Sequence, residues 1–247
     1  MNYILLTSCF RPVLLSNVTN TDVITNVRLS YKCLCSFLSS SLCSSREFKV
    51  IFLDCSDFEQ IEPSVLETID SLFVHNPLLQ FHRINFTASE LNAIQLKGKG
   101  FSEMLMIKHF LGTNSFPSGT KFLKCSARYT PLFEPSCIFP FIVDCDNSFS
   151  VSYVFKRAIC HSYLADVLFL NDFIDYSLER LDDSSGVFLE FIAYEFIASV
   201  DRSCLHKFRR SFFYPFYDPK VLPGSSLTRR FSSSLLFQLL RFLACLF

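Results

Sequence analysis

The chain has 247 residues, of which 50% are hydrophobic and 19% charged, a length and balance that supply a buried core and exclude global disorder. Lys/Arg and Asp/Glu are equal at 23 each, yet residues 1–200 hold 15 basic against 21 acidic side chains and residues 201–247 hold 8 against 2. A basic end on an acidic body favours an anionic surface for that end, either a membrane or a polyanion.

The first element is a strand from Tyr3 that ends in a Thr/Ser loop at Thr7-Ser8. No basic residues precede its apolar run, which argues against a signal peptide, and the run is too short to cross a bilayer. Residues 22–45 suit a helix packed on a sheet. Lys49-Val50-Ile51-Phe52-Leu53-Asp54-Cys55-Ser56-Asp57 is the clearest strand, because a continuous apolar run ending in Asp and Ser is how a buried parallel strand reaches a ligand edge. Ile61, Val65, Leu66, Ile69, Leu72 and Phe73 recur at helical spacing over 59–74. A short strand is expected at Phe81–Asn85, then a Gly-rich loop at 97–100 feeding a helix from Ser102 to Leu111. Lys121–Lys124 reads as a buried strand, and Phe139–Asp146 repeats the pattern of an apolar run ending in acids. Residues 153–170 and 187–200 read as helices. This alternation predicts an α/β domain over 1–200, in which ligands bind beyond the carboxyl ends of the strands, followed by a separate extension over 201–247.

Two windows carry the functional signal. Lys97-Gly98-Lys99-Gly100-Phe101-Ser102-Glu103 and Phe122-Leu123-Lys124-Cys125-Ser126-Ala127-Arg128-Tyr129 combine glycines, fixed cations and an acid. Glycine lets a backbone approach a ligand, and Lys or Arg holds a phosphate as a point charge or a planar fork. Asp54, Asp57, Lys97, Lys99, Glu103, Lys124, Arg128, Asp144 and Asp146 all fall at strand ends or in the Gly-rich segment, positions that converge on one rim of a twisted sheet. The segment lacks the spacing of a P-loop and of a dinucleotide fingerprint. Neither HExxH nor Gly-x-Ser-x-Gly occurs, which disfavours a zinc hydrolase and a serine esterase. The eleven Cys include no CxxC, and the one close pair, Cys33 and Cys35, lacks partners at zinc spacing; reduced, buried thiols in a cytosolic protein are expected.

The apolar strand ending in Asp54-Cys55-Ser56, the Gly98-Lys99-Gly100-Phe101-Ser102-Glu103 helix start, and Phe122-x-Lys124-x-x-x-Arg128-Tyr129 together resemble the pattern of small bacterial glycosyltransferases of capsule, O-antigen or lipopolysaccharide assembly. These are similar to the nucleotide-diphospho-sugar transferase, or GT-A-like, fold. The resemblance runs from Tyr3 to about Ile197. Its third motif usually reads Lys-x-x-Gly-Arg-Tyr, with Ala127 standing here for the glycine; a later aromatic segment matches Val154–Leu164, followed by Gly186–Glu190. The resemblance implies a mostly parallel central sheet flanked by helices, with 201–247 as a basic, aromatic-rich helical extension outside it.

It also implies a nucleotide-sugar donor and a lipid-linked or oligosaccharide acceptor. Asp54 and Ser56 would lie near the nucleotide, while Lys97, Gly98, Gly100, Lys124, Arg128 and Tyr129 would face the sugar nucleotide and its phosphates. The leaving phosphate must be neutralised, either by Mg²⁺ or Mn²⁺ on Asp144 and Asp146, whose Asp-x-Asp spacing and oxygen donors suit those ions, or by the Lys and Arg side chains alone. For the acceptor proton, Glu190 is the first candidate and Glu103 the second, and each is equally readable as a first-turn helix acid. Residues 202–217 interleave basic and aromatic side chains, and 234–247 is apolar but too short to span a bilayer. That end suits peripheral contact with the inner face of the cell membrane, or packing on the body or a second subunit. The acidic body disfavours single-stranded nucleic acid as its partner. A catalytically silent membrane-surface binding protein on the same fold, and a hydrolase or phosphotransferase acting on a nucleotide sugar, stand as alternatives.

Overall fold

The computed structural model describes residues 2–12, 22–40, 43, 48–128, 130–131, 147–152, 156–158, 160–200, 206–208 and 216–217. Strands β1 (Asn2–Ser8), β2 (Phe48–Asp54), β3 (Leu79–Arg83) and β4 (Lys121–Ser126) pair in parallel in the order β3-β2-β1-β4. Helices α1 (Val23–Leu38), α2 (Pro63–Ile69), α3 (Ala88–Lys97) and α4 (Lys99–Thr113) lie between them in sequence. Beyond β4 come two-residue β5 (Thr130–Pro131), β6 (Ser148–Ser152), β7 (Arg157–Ala158) and β8 (Ser162–Asp166). Strand β8 runs antiparallel beside β4, with Tyr163 opposite Lys124, and β6 and β7 continue the sheet. Helices α5 (Val167–Arg180) and α6 (Leu189–Ser199) follow. The architecture is thus a mixed α/β one, with a mostly parallel central sheet flanked by helices.

Parallel strands covered on both faces must be apolar at consecutive positions, and Ile4, Leu5 and Leu6 are each fully buried. On one face Ile4, Leu6, Val50, Phe52, Leu123 and Cys125 pack against α1 through Leu34 and Phe37, against α2 through Ile69, and against the π-helical stretch Asp70–Val74 through Phe73. On the other, Leu5, Ile51, Leu53, Phe122 and Tyr163 meet Met104, Ile107, Phe173, Ile192 and Phe196 of α4, α5 and α6. The abundant Phe form much of this packing: Phe52 and Phe73 ring centroids are 4.8 Å apart in the first layer, and Phe149 stacks on Tyr163 at 4.6 Å in the second.

Several expected elements change. Residues 160–166 are not helical; Ser162–Asp166 pairs with β4, and the helix starts only at Val167. Tyr163, Leu164 and Ala165 are buried on alternating faces, so the run reads equally as strand or helix until its partner is known. Asp166 sets the boundary, its Oδ1 accepting the Leu168 and Phe169 N–H groups at 2.9 and 3.0 Å. The expected helix over 59–74 restarts at Pro63, after a 3-10 turn at Phe58–Gln60, and ends in a π-helical stretch, Asp70–Val74. Of the extension expected to be helical, the described residues form β9 (His206–Phe208), parallel to β6, and β10 (Phe216–Tyr217), antiparallel to β5. Aromatic residues suit a pleated, paired backbone as well as a helix, and here sheet partners are at hand. The expected strand at 139–146, with Asp144 and Asp146, lies outside the described residues. Among the described residues no helix is long and apolar enough to cross a membrane.

Candidate functional site

The chain leaves β1 toward β2 on one side and later enters β4 on the other, so the carboxyl ends of β1 and β4 form a switch point, the crevice where open α/β sheets bind ligands. The exits of both strands are joined directly by the Ala127 N–H, which donates to the Thr7 carbonyl at 2.9 Å, while the Ser126 N–H ties β4 to the approach of β8 through the His161 carbonyl at 2.7 Å. Ala127 is fully buried and does not have a positive φ, so no left-handed backbone angle demands a glycine there.

On the β2 side, Asp54 is fully buried and organises the loop that leaves β1. Its Oδ2 accepts the Phe10 N–H at 3.1 Å and its Oδ1 the Ser56 N–H at 2.9 Å. Ser56 Oγ in turn accepts the Arg11 N–H at 2.9 Å, and Asn26 Nδ2 of α1 donates to the Phe10 carbonyl at 2.9 Å. Burial pushes the Asp54 carboxyl up to about 6, against the lowering effect of its hydrogen bonds from Ser56 and Phe10.

On the β4 side, Lys124 is fully buried and ion-pairs with Glu103, Nζ to Oε1 at 2.8 Å; because α4 starts at Lys99, Glu103 falls in its second turn and is not the first-turn acid the sequence suggested. The Thr7 hydroxyl donates to the same Glu103 oxygen at 2.6 Å, and Lys124 also donates to the Cys160 carbonyl at 2.8 Å. Burial alone would raise the Glu103 carboxyl, but the Lys124 charge, its hydrogen bond and that from Thr7 outweigh it and hold the group at about 2. This arrangement ties β1, β4, the approach to β8 and the α4 N-terminus together at the centre of the rim. His161, beside it, is pushed down to about 3 by burial and then by the charges of Lys124 and Arg128, so its imidazole is neutral at neutral pH.

The Gly98-Lys99-Gly100 segment is a junction between two helices rather than a loop. α3 ends at Lys97 and α4 begins at Lys99, with Gly98 alone between them at φ 91°, ψ −164°. What approaches its backbone is Asp183, from the 3-10 turn Asp183–Ser185 that leads to α6. The Gly100 N–H donates to Asp183 Oδ2 at 3.1 Å, placing a carboxylate at the positive end of α4. A Cβ at Gly98 would lie 2.5 Å from Asp183 Cβ and Oδ2, and one at Gly100 would lie 3.3 Å from Leu189 Cβ. The two glycines therefore seat an acid of this chain and with it the start of α6.

The other sequence candidates take these places. Lys97 Nζ donates to the Leu178 carbonyl at 3.2 Å and lies 4.8 Å over the Phe101 ring, directed to the end of α5. Arg128 is half-buried just past β4, close enough for its charge to act on His161. Glu190 is exposed in the first turn of α6, and its charge bears on Cys160, whose carbonyl receives Lys124. Thus Glu103, Lys124 and Thr7 meet directly, Arg128 and Glu190 flank them, and Asp54 with Ser56 shapes the neighbouring strand exit. Tyr129, Asp144 and Asp146 lie outside the described residues. Sequence reasoning passed over Thr7, Asp183 and His161. The Thr/Ser end of β1 was a signal for the first; an Asp-Asp-Ser-Ser-Gly turn before an apolar helix was one for the second.

No family model matches the chain, and comparison with curated proteins gives no match. Among solved structures the chain is similar to HddC from Yersinia pseudotuberculosis, with a TM-score of 0.39 and 10% identity over 70% of this chain and 80% of that one. A likeness of that degree carries no argument about activity.

Proposed function

We propose that this chain is a nucleotide-sugar enzyme, and specifically a glycosyltransferase that passes a sugar to a surface-polysaccharide or lipopolysaccharide acceptor. The observation that supports the reading best is the convergence of Arg128, Glu190 and the Thr7–Glu103–Lys124 cluster on the β1/β4 switch point, next to a strand exit built by Asp54. In this reading the nucleotide lies across the β1 and β2 exits, and Arg128 faces its diphosphate with Lys99, exposed at the start of α4, as the second cation. Lys124 is neutralised by Glu103 and acts by fixing the rim on which the phosphates rest. Glu103, held at about 2 and bound to an ammonium, is a weak base; the exposed Glu190 is the better receiver of the acceptor hydroxyl proton. Asp144 and Asp146 are the proposed holders of Mg²⁺ or Mn²⁺, which would neutralise charge on the leaving phosphate.

A second reading, a binding protein without turnover on the same scaffold, draws support from one observation. Asp54, Lys97, Glu103 and Lys124 all direct polar groups to partners within the chain. The test is release of nucleoside diphosphate from each of a UDP-, GDP- and dTDP-sugar panel, and of CMP from CMP-sugars, with and without an oligosaccharide or lipid-linked acceptor. Acceptor-dependent release, reduced at least tenfold in Glu190→Gln, supports the transferase. Release independent of acceptor indicates a hydrolase, and saturable binding with no release indicates the silent protein.

A further inference from the structure

Cys9 and Cys55 stand at the carboxyl ends of neighbouring parallel strands, each one residue past the last register pair, Ser8 opposite Asp54. Adjacent strands lie about 4.8 Å apart, within the roughly 4.4–6.8 Å between Cα atoms that a disulfide spans. The two thiols are near enough for one to bear on the ionisation of the other. Both belong to the layer that meets α4, where Cys55 Sγ lies 3.8 Å from the Ser8 carbonyl and 3.8 Å from Ser102 Oγ in the first turn of that helix. Cys9 is partly exposed and Cys55 is 7% exposed. A second neighbouring pair, Cys33 and Cys125, provides the contrast: it lies in the opposite layer with both residues 0% exposed, where an oxidant has no access.

We infer that Cys9 and Cys55 form a reversible thiol–disulfide site at the rim of the β1/β2 exits, oxidised by a small peroxide and restored by a thiol reductant. The inference does not rest on the transferase reading. One sulfur, ionised, attacks a peroxide oxygen; the O–O bond breaks, hydroxide leaves and is protonated to water, and a sulfenic acid forms. The second sulfur, losing its proton, attacks the first; the S–O bond breaks, the S–S bond forms and a second water departs. Two electrons pass from the two sulfurs to the peroxide. The neighbouring Cys55 thiol and burial push the Cys9 thiol well above the ordinary cysteine range, so the reaction accelerates as pH rises. The new bond, about 2.05 Å long, draws the sulfurs together and ties the β1 and β2 exits beside Asp54.

The test treats the folded full-length chain with hydrogen peroxide, blocks remaining thiols under denaturing conditions and maps peptides without reduction. The expected product is a Cys9–Cys55 cross-linked peptide, two hydrogens lighter than the sum of its thiol forms. It should form faster at pH 9 than at pH 7, be reversed by dithiothreitol and be absent from Cys9→Ser. Cys33 and Cys125 should remain alkylatable thiols. Oxidation of Cys9 to sulfinic acid with Cys55 still free, a Cys33–Cys125 cross-link at an equal rate, or full alkylation of both rim cysteines after peroxide would each overturn the inference.

Discussion

Replacing Glu103 with Gln tests whether the buried ion pair at the rim is a structural keystone. The substitution keeps the shape and an acceptor for Thr7 but removes the charge opposite Lys124, which has 0% side-chain exposure. The ammonium would then be left with neutral partners, among the described residues the Cys160 carbonyl at 2.8 Å and the Tyr163 ring at 5.5 Å. Removing one partner of a buried pair costs about 3–5 kcal/mol. Glu103 retains 22% exposure, so water offers some relief and the lower end applies. The fall of its carboxyl from 4.5 to about 2 gives the same answer by another route, on the order of 3 kcal/mol. For a chain of this size that lowers Tm by roughly 6–12 °C. Urea unfolding of wild type, Glu103→Gln, Lys124→Met and the double variant supplies the cycle, with an expected coupling of about 2–3 kcal/mol and a double variant more stable than Glu103→Gln. Because the folded pKa is depressed, this contribution is present above about pH 4.5 and is lost as pH falls toward 2. A loss below about 1 kcal/mol in Glu103→Gln, with no coupling to Lys124, would refute the assignment.

Asp54 acts in the opposite sense. Its folded value of about 6 lies above the ordinary 3.8, so the stability it contributes is full below about pH 4 and lost as pH rises through 6; urea midpoints from pH 4.5 to 7 should show this slope, and Asp54→Asn should remove it. Gly98→Ala adds a Cβ at φ 91° and 2.5 Å from Asp183, so it should cost at least about 2 kcal/mol, read as a lowered urea midpoint, whereas Gly112→Ala, with open space around it, should be neutral or stabilising. Asp183→Asn keeps the shape but removes a charge from the α4 N-terminus and should cost about 0.5–1 kcal/mol, measured the same way.

The parallel half of the fold was legible because its physics is local. Apolar runs over 3–6 and 50–53 specify strands buried on both faces, and Asp54 and Ser56 mark where the second one ends. Helix α3 was equally legible, since Thr87 and Glu90 form a capping box with N–H contacts of 3.3 and 2.7 Å, but the Thr-x-x-Glu signal was passed over. Strand β8 was not legible, because Tyr163-Leu164-Ala165 becomes a strand only through pairing with β4, residues about 40 positions earlier. The same limit governs the site. Sequence placed Glu103 and Lys124 on one rim, but only the β1–β4 register and the seat of α4 show that they neutralise each other. The glycines of Gly98-Lys99-Gly100 read as an approach for an external phosphate. Here the approaching anion is Asp183, a partner more than 80 residues away that no local pattern announces.

The central claim is that the β1/β4 switch point holds a nucleotide diphosphate against Arg128. Isothermal titration of UDP-, GDP-, CMP- and dTDP-sugars into wild-type protein and Arg128→Ala, with and without Mn²⁺, tests it most directly. The account predicts saturable binding of one nucleotide class, weakened at least tenfold in an Arg128→Ala variant whose melting temperature is unchanged. Absence of binding by every nucleotide sugar in well-folded protein, or equal affinity in the two proteins, would contradict it.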